Sequence, residues 1–215
     1  MNTHMDADKM EIITERRIKS IFRAIVCLTA IAGTSLRIII SFASGWGAEV
    51  FLYFTVQSNI MVCVYLSAVI LHEKKQQLFL PFIQGAIVLY ILITGIVYNT
   101  MLAPGLEADG LNLIVLTINH SLTPILFFLD WFINRMKGRL EWKHLRLWLI
   151  YPLVYLFAGS IEGSLSGEFR YPFLDFLNQS LFYYSIQLCI VIFAFIIIGA
   201  GIIIIDKKLA YKSNE

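Results

Sequence analysis

Six apolar stretches constrain this chain more than any other feature, because each is close to the length that a helix needs to cross a lipid bilayer. About 20 apolar residues span the hydrocarbon core as a helix. We predict membrane spans at residues 21–43, 51–71, 78–102, 111–133, 145–161 and 181–205. The fifth span is short and carries Pro152 in its middle, so residues 159–180 are predicted to form an extended loop.

The composition excludes an ordinary soluble domain. Hydrophobic residues make up 58% of the 215 residues and charged residues only 15%, which is typical of a membrane protein. A net charge of +2 does not favour nucleic acid as a partner. The predicted fold is therefore an all-α bundle of six transmembrane helices, residues 21–205, between terminal tails at 1–20 and 206–215.

Lysine and arginine predict how the spans are oriented, because loops on the cytoplasmic side of a membrane carry an excess of positive charge. The two tails, the loops between spans 2 and 3 and spans 4 and 5, and the adjoining span ends hold 15 of the 17 basic residues. The opposite loops carry Arg170 together with acidic residues that include Glu49, Glu107, Asp109, Glu168 and Asp175. Both termini are accordingly predicted to be cytoplasmic.

The fourth span contains His120, the only histidine inside a hydrophobic stretch. An ionisable group in hydrocarbon is costly and marks a candidate functional site. Pro124 follows four residues later, and proline removes the helical hydrogen bond to the carbonyl four residues before it. The His120 carbonyl should therefore need water or a polar neighbour. The accompanying kink should widen the bundle beside the imidazole.

Polar residues from five spans are predicted to meet in the outer half of the membrane. At about 1.5 Å of rise per residue, His120 lies about 14 Å inside the outer boundary. The spacing of Thr55, Ser58 and Asn59 places them on one helix face. The same half of the membrane holds these polar residues from the other spans: Arg37, Asn99 and Glu162.

Each of these residues has a purely structural alternative. Serine and threonine in membrane helices often bond to their own backbone, and asparagines often join neighbouring helices. This alternative applies to Ser58, Asn59 and Asn99, while Arg37 lies near enough to the interface to snorkel. Asp130 is about 15 Å along the helix from His120. We interpret it as an interfacial anchor paired with Arg135 or another loop cation.

Histidine and threonine together favour nucleophilic chemistry. A neutral histidine can take the proton of an alcohol and so activate it as a nucleophile, and Thr55 is the candidate partner of His120. Asn59 or Asn99 is predicted to donate to the oxyanion. A catalytic zinc usually has three protein ligands, which one intramembrane histidine does not supply. No metal or cofactor is expected.

Several motifs carry a resemblance to a known family. They are residues 54–59, Val97-Tyr-Asn99, His120 through Pro124 to Asp130-Trp131, and Tyr171-Pro-Phe-Leu-Asp175. In these the chain resembles a bacterial family of six-span integral membrane proteins. More distantly it resembles the eukaryotic androgen-induced and androgen-dependent TFPI-regulating membrane proteins, which hydrolyse fatty acid esters of hydroxy fatty acids with a threonine and a histidine.

The resemblance implies roles for particular residues. Asn119-His120, Pro124 and Asp130 match the pattern around the family histidine. One alignment places the family threonine on Thr55, and a shift by two residues places Tyr53 there. The implied activity is an intramembrane threonine hydrolase acting on a membrane lipid ester, in the bacterial cytoplasmic membrane.

Two other functions stay open from the sequence. One is a small proton-coupled transporter in which His120 is the titrating group. The other is a non-catalytic lipid-binding protein whose polar residues only join helices. The sequence defines neither an oligomeric state nor a protein partner.

Overall fold

The computed structural model is helical throughout the part of the chain that it describes, with no strand there. It describes residues 2–72, 81–104, 106–134 and 138–211, and only the backbone of residues 2–9, 11 and 12. The α-helices are α1 (Asn2–Ala43), α2 (Phe54–Leu71), α3 (Pro81–Val97), α4 (Gly110–Thr117), α5 (Thr123–Asn134), α6 (Trp142–Ser166) and α7 (Leu181–Tyr211). The following basic residues used to orient the spans lie outside the described residues: Lys74, Lys75, Arg135, Lys137 and Lys212.

Six helical segments are long and apolar enough to cross a membrane. They are Ile13–Ala43, Phe54–Leu71, Pro81–Leu102, Gly110–Asn134, Trp142–Ser166 and Leu181–Tyr211. The prediction of six apolar spans in an all-α chain is confirmed, and the architecture is that of a multi-pass membrane protein. Residues 2–20 and 206–211, which were predicted to be tails, continue α1 and α7 as helix.

The fifth span is longer than its sequence predicts, because α6 runs on through residues 159–166. The prediction of an extended loop from Gly159 is wrong over this part. A Cβ on Gly163 would lie 2.3 Å from Cδ1 of Phe169, so glycine here lets the following chain fold back onto the helix. Gly167, at φ +80°, then ends α6 in the left-handed conformation that glycine adopts easily.

Helix α3 is the central helix of the bundle. Of the 18-residue apolar stretch in the α3 span, 67% is buried, compared with 22% of the corresponding stretch in α6. Helix α3 contacts α2, α5 and α7. Close approach depends on small residues, as in other membrane helices: a Cβ on Gly85 would lie 2.6 Å from the Trp148 ring. The Tyr90 hydroxyl also donates to the Trp148 carbonyl at 2.9 Å, so α3 and α6 are joined in the core.

Candidate functional site

The His120 segment departs from regular α-helix. Residues Ile118–Leu122 form a π-helical turn between α4 and α5, a feature often found at functional sites. Proline has no N–H to donate, and the His120 carbonyl instead accepts from Asn99 Nδ2 at 3.1 Å. The prediction that this carbonyl needs a polar neighbour is confirmed.

Glycines on two neighbouring helices hold this turn closely. A Cβ on Gly33 of α1 would lie 2.4 Å from Cγ2 of Ile118, and one on Gly95 of α3 would lie 2.9 Å from the His120 carbonyl oxygen. Asn119 Nδ2 donates to the Gly33 carbonyl at 2.9 Å. The turn is therefore packed against backbone on both sides, which leaves its position little freedom.

The His120 imidazole is oriented by a backbone carbonyl and a ring. Its Nδ1 lies 2.9 Å from the Leu116 carbonyl oxygen. A carbonyl only accepts, so Nδ1 carries the hydrogen and Nε2 of the neutral ring has the free lone pair. The ring stacks on Tyr98 with centroids 3.8 Å apart. Nε2 has no hydrogen-bonding partner among the described residues and is free to act as a base.

A cavity of about 440 Å³ lies beside this imidazole. His120, Thr55 and Arg37 all line it, although they come from three different spans. We call it the central cavity, and its remaining walls are Tyr53, Val56, Tyr98, Met101, Leu102, Pro104, Leu106, Val115, Leu116, Asn119, Arg170, Tyr171 and Pro172. The structure thus brings the two predicted catalytic residues to one cavity.

Thr55 lies in the first turn of α2, where helical N–H groups lack intrahelical partners. Two tyrosine hydroxyls accept these hydrogens: Tyr155 from the Phe54 N–H at 3.1 Å and Tyr171 from the Thr55 N–H at 3.4 Å. The start of α2 is therefore held by tyrosines, one of which lies in the cavity wall beside Thr55.

A second, narrow cavity adjoins the first. It holds about 30 Å³, and Thr55, Tyr98, Leu102 and Tyr171 line both cavities. Its other walls are almost entirely apolar, and we call it the apolar slot: Phe54, Ile93, Thr94, Val97, Pro152, Tyr155, Leu156, Phe173, Val191 and Phe195. Thr55 therefore lies between a partly polar space and an apolar one.

Tyr53, the alternative match to the family threonine, also reaches the central cavity. It immediately precedes α2, and the Arg170 guanidinium lies over its ring at 5.7 Å from the centroid. Both alternatives therefore contribute to the same wall, and position alone does not separate them.

Four of the predicted pocket residues stand behind the described cavity walls rather than in them. Asn59 Nδ2 donates to the Thr55 carbonyl at 2.8 Å and to the Asn119 carbonyl at 3.2 Å. Ser58 Oγ donates to the Thr55 carbonyl at 3.0 Å. Asn59 thus joins the backbone of Thr55 to the residue preceding His120. Asn99 and Glu162 also lie outside the cavity walls, and each bonds to a residue that lines the cavity, His120 and Arg170 respectively.

The hypothesis that Asn59 or Asn99 donates to an oxyanion is wrong in this arrangement. The Asn59 amide already bonds to two carbonyls. Asn99 Nδ2 bonds to the Gly95 carbonyl at 2.8 Å as well as to that of His120. A primary amide has two N–H groups, so neither side chain retains one for a ligand.

Glu162 supports the cavity through Arg170. Its two oxygens accept from Nη2 and Nε of Arg170 at 2.7 and 3.3 Å, and Glu49 accepts from Nη1 at 2.7 Å. These hydrogen bonds, that to Glu162 above all, raise the pKa of Arg170. A bidentate ion pair of this kind fixes the orientation of the guanidinium as well as balancing its charge. It anchors the segment that carries Tyr171 over the cavity.

Two residues of the wall, Tyr98 and Tyr171, were not among the predicted site residues. Tyr98 stacks on His120, and Tyr171 is buried beside Thr55. Both belong to the motifs that carry the family resemblance, which was the one signal able to find them. Composition and helical periodicity do not distinguish them from ordinary interfacial aromatics.

Asp130 is not a partner of His120. It pairs with Arg23, and the predicted partner Arg135 lies outside the described residues. Its carboxylate accepts from Arg23 Nε of α1 at 3.3 Å and from Asn134 Nδ2 at 2.9 Å. The side chain is 0% exposed. Asp130 is therefore a buried link between α1 and α5.

Within the described part of the chain, no three His, Cys, Asp or Glu side chains come together as a metal site would require. Comparison with protein-family models, curated proteins and solved structures finds no match to this chain. The central cavity and the residues that line it are therefore the features that bear on function.

Proposed function

We propose that this chain is an intramembrane hydrolase of a lipid ester, with Thr55 as the nucleophile and His120 as the general base. The observation that carries the proposal is that these two residues, from different spans, line one cavity of about 440 Å³. The bond from Nδ1 to the Leu116 carbonyl leaves Nε2 as the basic nitrogen. The resemblance to the membrane hydrolases points to His120 and, in one of two alignments, to Thr55.

The reaction would proceed in two balanced steps. Thr55 Oγ1 bonds to the ester carbonyl carbon while its proton passes to His120 Nε2, and the imidazolium then protonates the departing alcohol as the ester C–O bond breaks. Water next attacks the acyl-threonine by the same route. This step releases the fatty acid and returns the proton to Thr55.

The Tyr171 hydroxyl is the candidate oxyanion donor in place of the two asparagines. It accepts from the Thr55 N–H, and its own hydrogen remains available to a developing negative charge beside Thr55. Burial raises the pKa of Tyr171, so the phenol keeps its proton at neutral pH. An enclosed donor of this kind stabilises an oxyanion more strongly than water does.

The distribution of positive charge along the sequence supports an orientation with both termini in the cytoplasm. In that orientation the cavity lies in the outer half of the bacterial cytoplasmic membrane, where a membrane lipid or a lipid-like ester would reach it from the outer leaflet. The apolar walls of the central cavity, among them Leu102, Val115 and Leu116, suit the acyl chain of such a substrate.

The test is turnover of a fluorogenic 4-methylumbelliferyl acyl ester by the purified protein in a neutral detergent. We expect Thr55→Ala and His120→Ala each to lower kcat/KM by about 10²-fold or more, the range associated with loss of a general base. Thr117→Ala is a matched control, because that hydroxyl bonds to the Leu113 carbonyl. His72→Ala is another, because its Nδ1 contacts the Ala68 carbonyl at 3.2 Å.

Three outcomes would decide against the assignment. Undiminished turnover in folded Thr55→Ala and His120→Ala proteins would reject these two residues as the catalytic pair, and no turnover by the unaltered protein would favour the lipid-binding alternative. Loss of turnover in Tyr53→Phe with full turnover in Thr55→Ala would move the nucleophile to Tyr53. Size-exclusion profiles and Tm values of all variants establish that folding is retained.

A further inference from the structure

Arg37 of α1 lies between two cavities. It lines the central cavity and also a polar groove of about 260 Å³, whose other walls are Ile40, Ser41, Ser44, Trp46, Val50, Tyr53 and Asn112. The side chain is half-buried. Its guanidinium makes no hydrogen bond or ion pair with any residue that the structure describes.

The other arginine of the central cavity, Arg170, shows what a purely structural cation looks like here. Two carboxylates, Glu162 and Glu49, pair with it. By contrast, no acidic side chain stands among the described residues that line the central cavity. Arg37 is therefore a cation in these walls without a counter-charge from the described protein.

A cation within a membrane span is costly and usually has a partner. Ionisable groups in such spans face the bundle interior or a water-filled cavity, and they mark functional sites. The fork of N–H groups on arginine matches the paired oxygens of a carboxylate or a phosphate. The missing partner is thus expected to be an oxyanion of a ligand.

The other walls of the central cavity indicate what kind of ligand carries this oxyanion. Many of them are apolar, with Met101, Leu102, Val115 and Leu116 among them. A ligand that fills the cavity therefore has an apolar chain and, beside Arg37, an acidic group.

We propose that Arg37 is the binding site for the acidic head group, carboxylate or phosphate, of an amphiphile whose chain lies along the apolar walls of the central cavity. Ser44 and Asn112 of the polar groove provide neutral hydrogen-bonding groups beside that head. As a substrate subsite, this assignment rests on the proposed hydrolase. As a binding site, it stands on the geometry of Arg37 and the two cavities.

The experiment measures binding apart from turnover, by isothermal titration of the purified protein in a neutral maltoside detergent. The probes are dodecanoate, dodecyl phosphate and dodecanol, which share one chain and contain no carboxylic ester. We expect the anionic probes to bind about tenfold or more tightly than dodecanol, as a charge-assisted hydrogen bond implies. The tighter of the two anions tells a carboxylate head from a phosphate.

Arg37→Gln should lower the affinity for the anionic probes about tenfold or more, and Arg37→Lys should restore part of it for dodecyl phosphate. Arg16→Gln is the matched control, because it deletes an exposed positive charge of the same helix far from the cavities. Equal binding of charged and neutral probes would overturn the proposal. So would equal losses in Arg37→Gln and Arg16→Gln. Neither result bears on ester turnover, so this proposal and the hydrolase fail separately.

Discussion

The two polar regions of the fourth span, around His120 and around Asp130, use buried polarity in opposite ways. At Asp130 the carboxylate is fully buried and bonds to Arg23 and Asn134. At His120 the backbone carbonyl is satisfied by Asn99, but the imidazole lines a cavity that Arg37 also lines. One region pairs its charge within the protein, and the other leaves its ionisable groups at a cavity.

A second closed contact resembles that of Asp130. Asp206, near the end of α7, is 1% exposed and accepts from the Leu140 N–H at 2.9 Å. It thereby holds the start of α6 against the last helix. Polar groups of this kind stabilise the bundle, so their loss should lower stability without altering the chemistry of the cavity.

The largest expected effect is at Asp130. Asp130→Ala leaves Arg23, which is only 12% exposed, without its carboxylate, and breaking a buried pair from one side costs about 3–5 kcal/mol. Thermal unfolding in detergent measures the loss. Asp109→Ala is the control, since it removes an exposed acid at the opposite end of the same span that makes no side-chain cap bond. Loss of ester turnover in folded Asp130→Ala protein would contradict the division between the regions.

A smaller loss is expected where α3 meets the His120 turn. Gly95→Ala places a methyl group 2.9 Å from the His120 carbonyl oxygen and 3.1 Å from Pro124 Cβ. Neither atom belongs to a flexible side chain, and overpacking of this kind costs about 1–3 kcal/mol. Turnover should fall as well, because the imidazole moves with its backbone.

Gly201→Ala in α7 is the matched control for Gly95→Ala, because its Cβ would meet nothing within 4 Å. Alanine is the better helix former by about 1 kcal/mol, so Tm should stay constant or rise slightly. If Gly95→Ala and Gly201→Ala behave alike in both Tm and turnover, the close packing at His120 has no functional importance.

The smallest stability effect is expected at Asn99. Asn99→Leu removes the donor to the His120 carbonyl, and an interhelical hydrogen bond in a membrane is worth about 0.6–1.7 kcal/mol. The π-helical turn should loosen, and kcat should fall more than Tm indicates. Thr100→Val controls for loss of a neighbouring polar group, because its exposed hydroxyl bonds only to the Ile96 carbonyl of its own helix. An unchanged kcat in Asn99→Leu would show that this bond stabilises the turn without positioning the imidazole.

Local physics explains the parts of the structure that could be predicted. Span length follows from the thickness of a bilayer, which is why six apolar segments were found although the end of α6 was not. The His120 carbonyl lacks its α-helical hydrogen bond because Pro124 has no N–H to donate. Both depend on residues close together in the chain.

Contacts between distant residues could not be derived in this way. Asp130 pairs with Arg23, 107 residues away, and Phe169 packs on Gly163 only because the chain turns back at Gly167. Periodicity places Asn59 and Thr55 on one helix face. Periodicity does not show that Thr55 lines a cavity while Asn59 bonds to backbone carbonyls behind that wall.

The sequence by itself thus determined an all-helical membrane protein with one ionisable ring beside a proline-induced defect. Only the tertiary structure decided which polar side chains line a cavity, which hold its walls, and that Arg37 has no described partner. The physical reason is that the rotation of each helix about its axis depends on packing against all its neighbours. That packing, at glycines 33 and 95 above all, positions His120, Thr55 and Arg37 around one space.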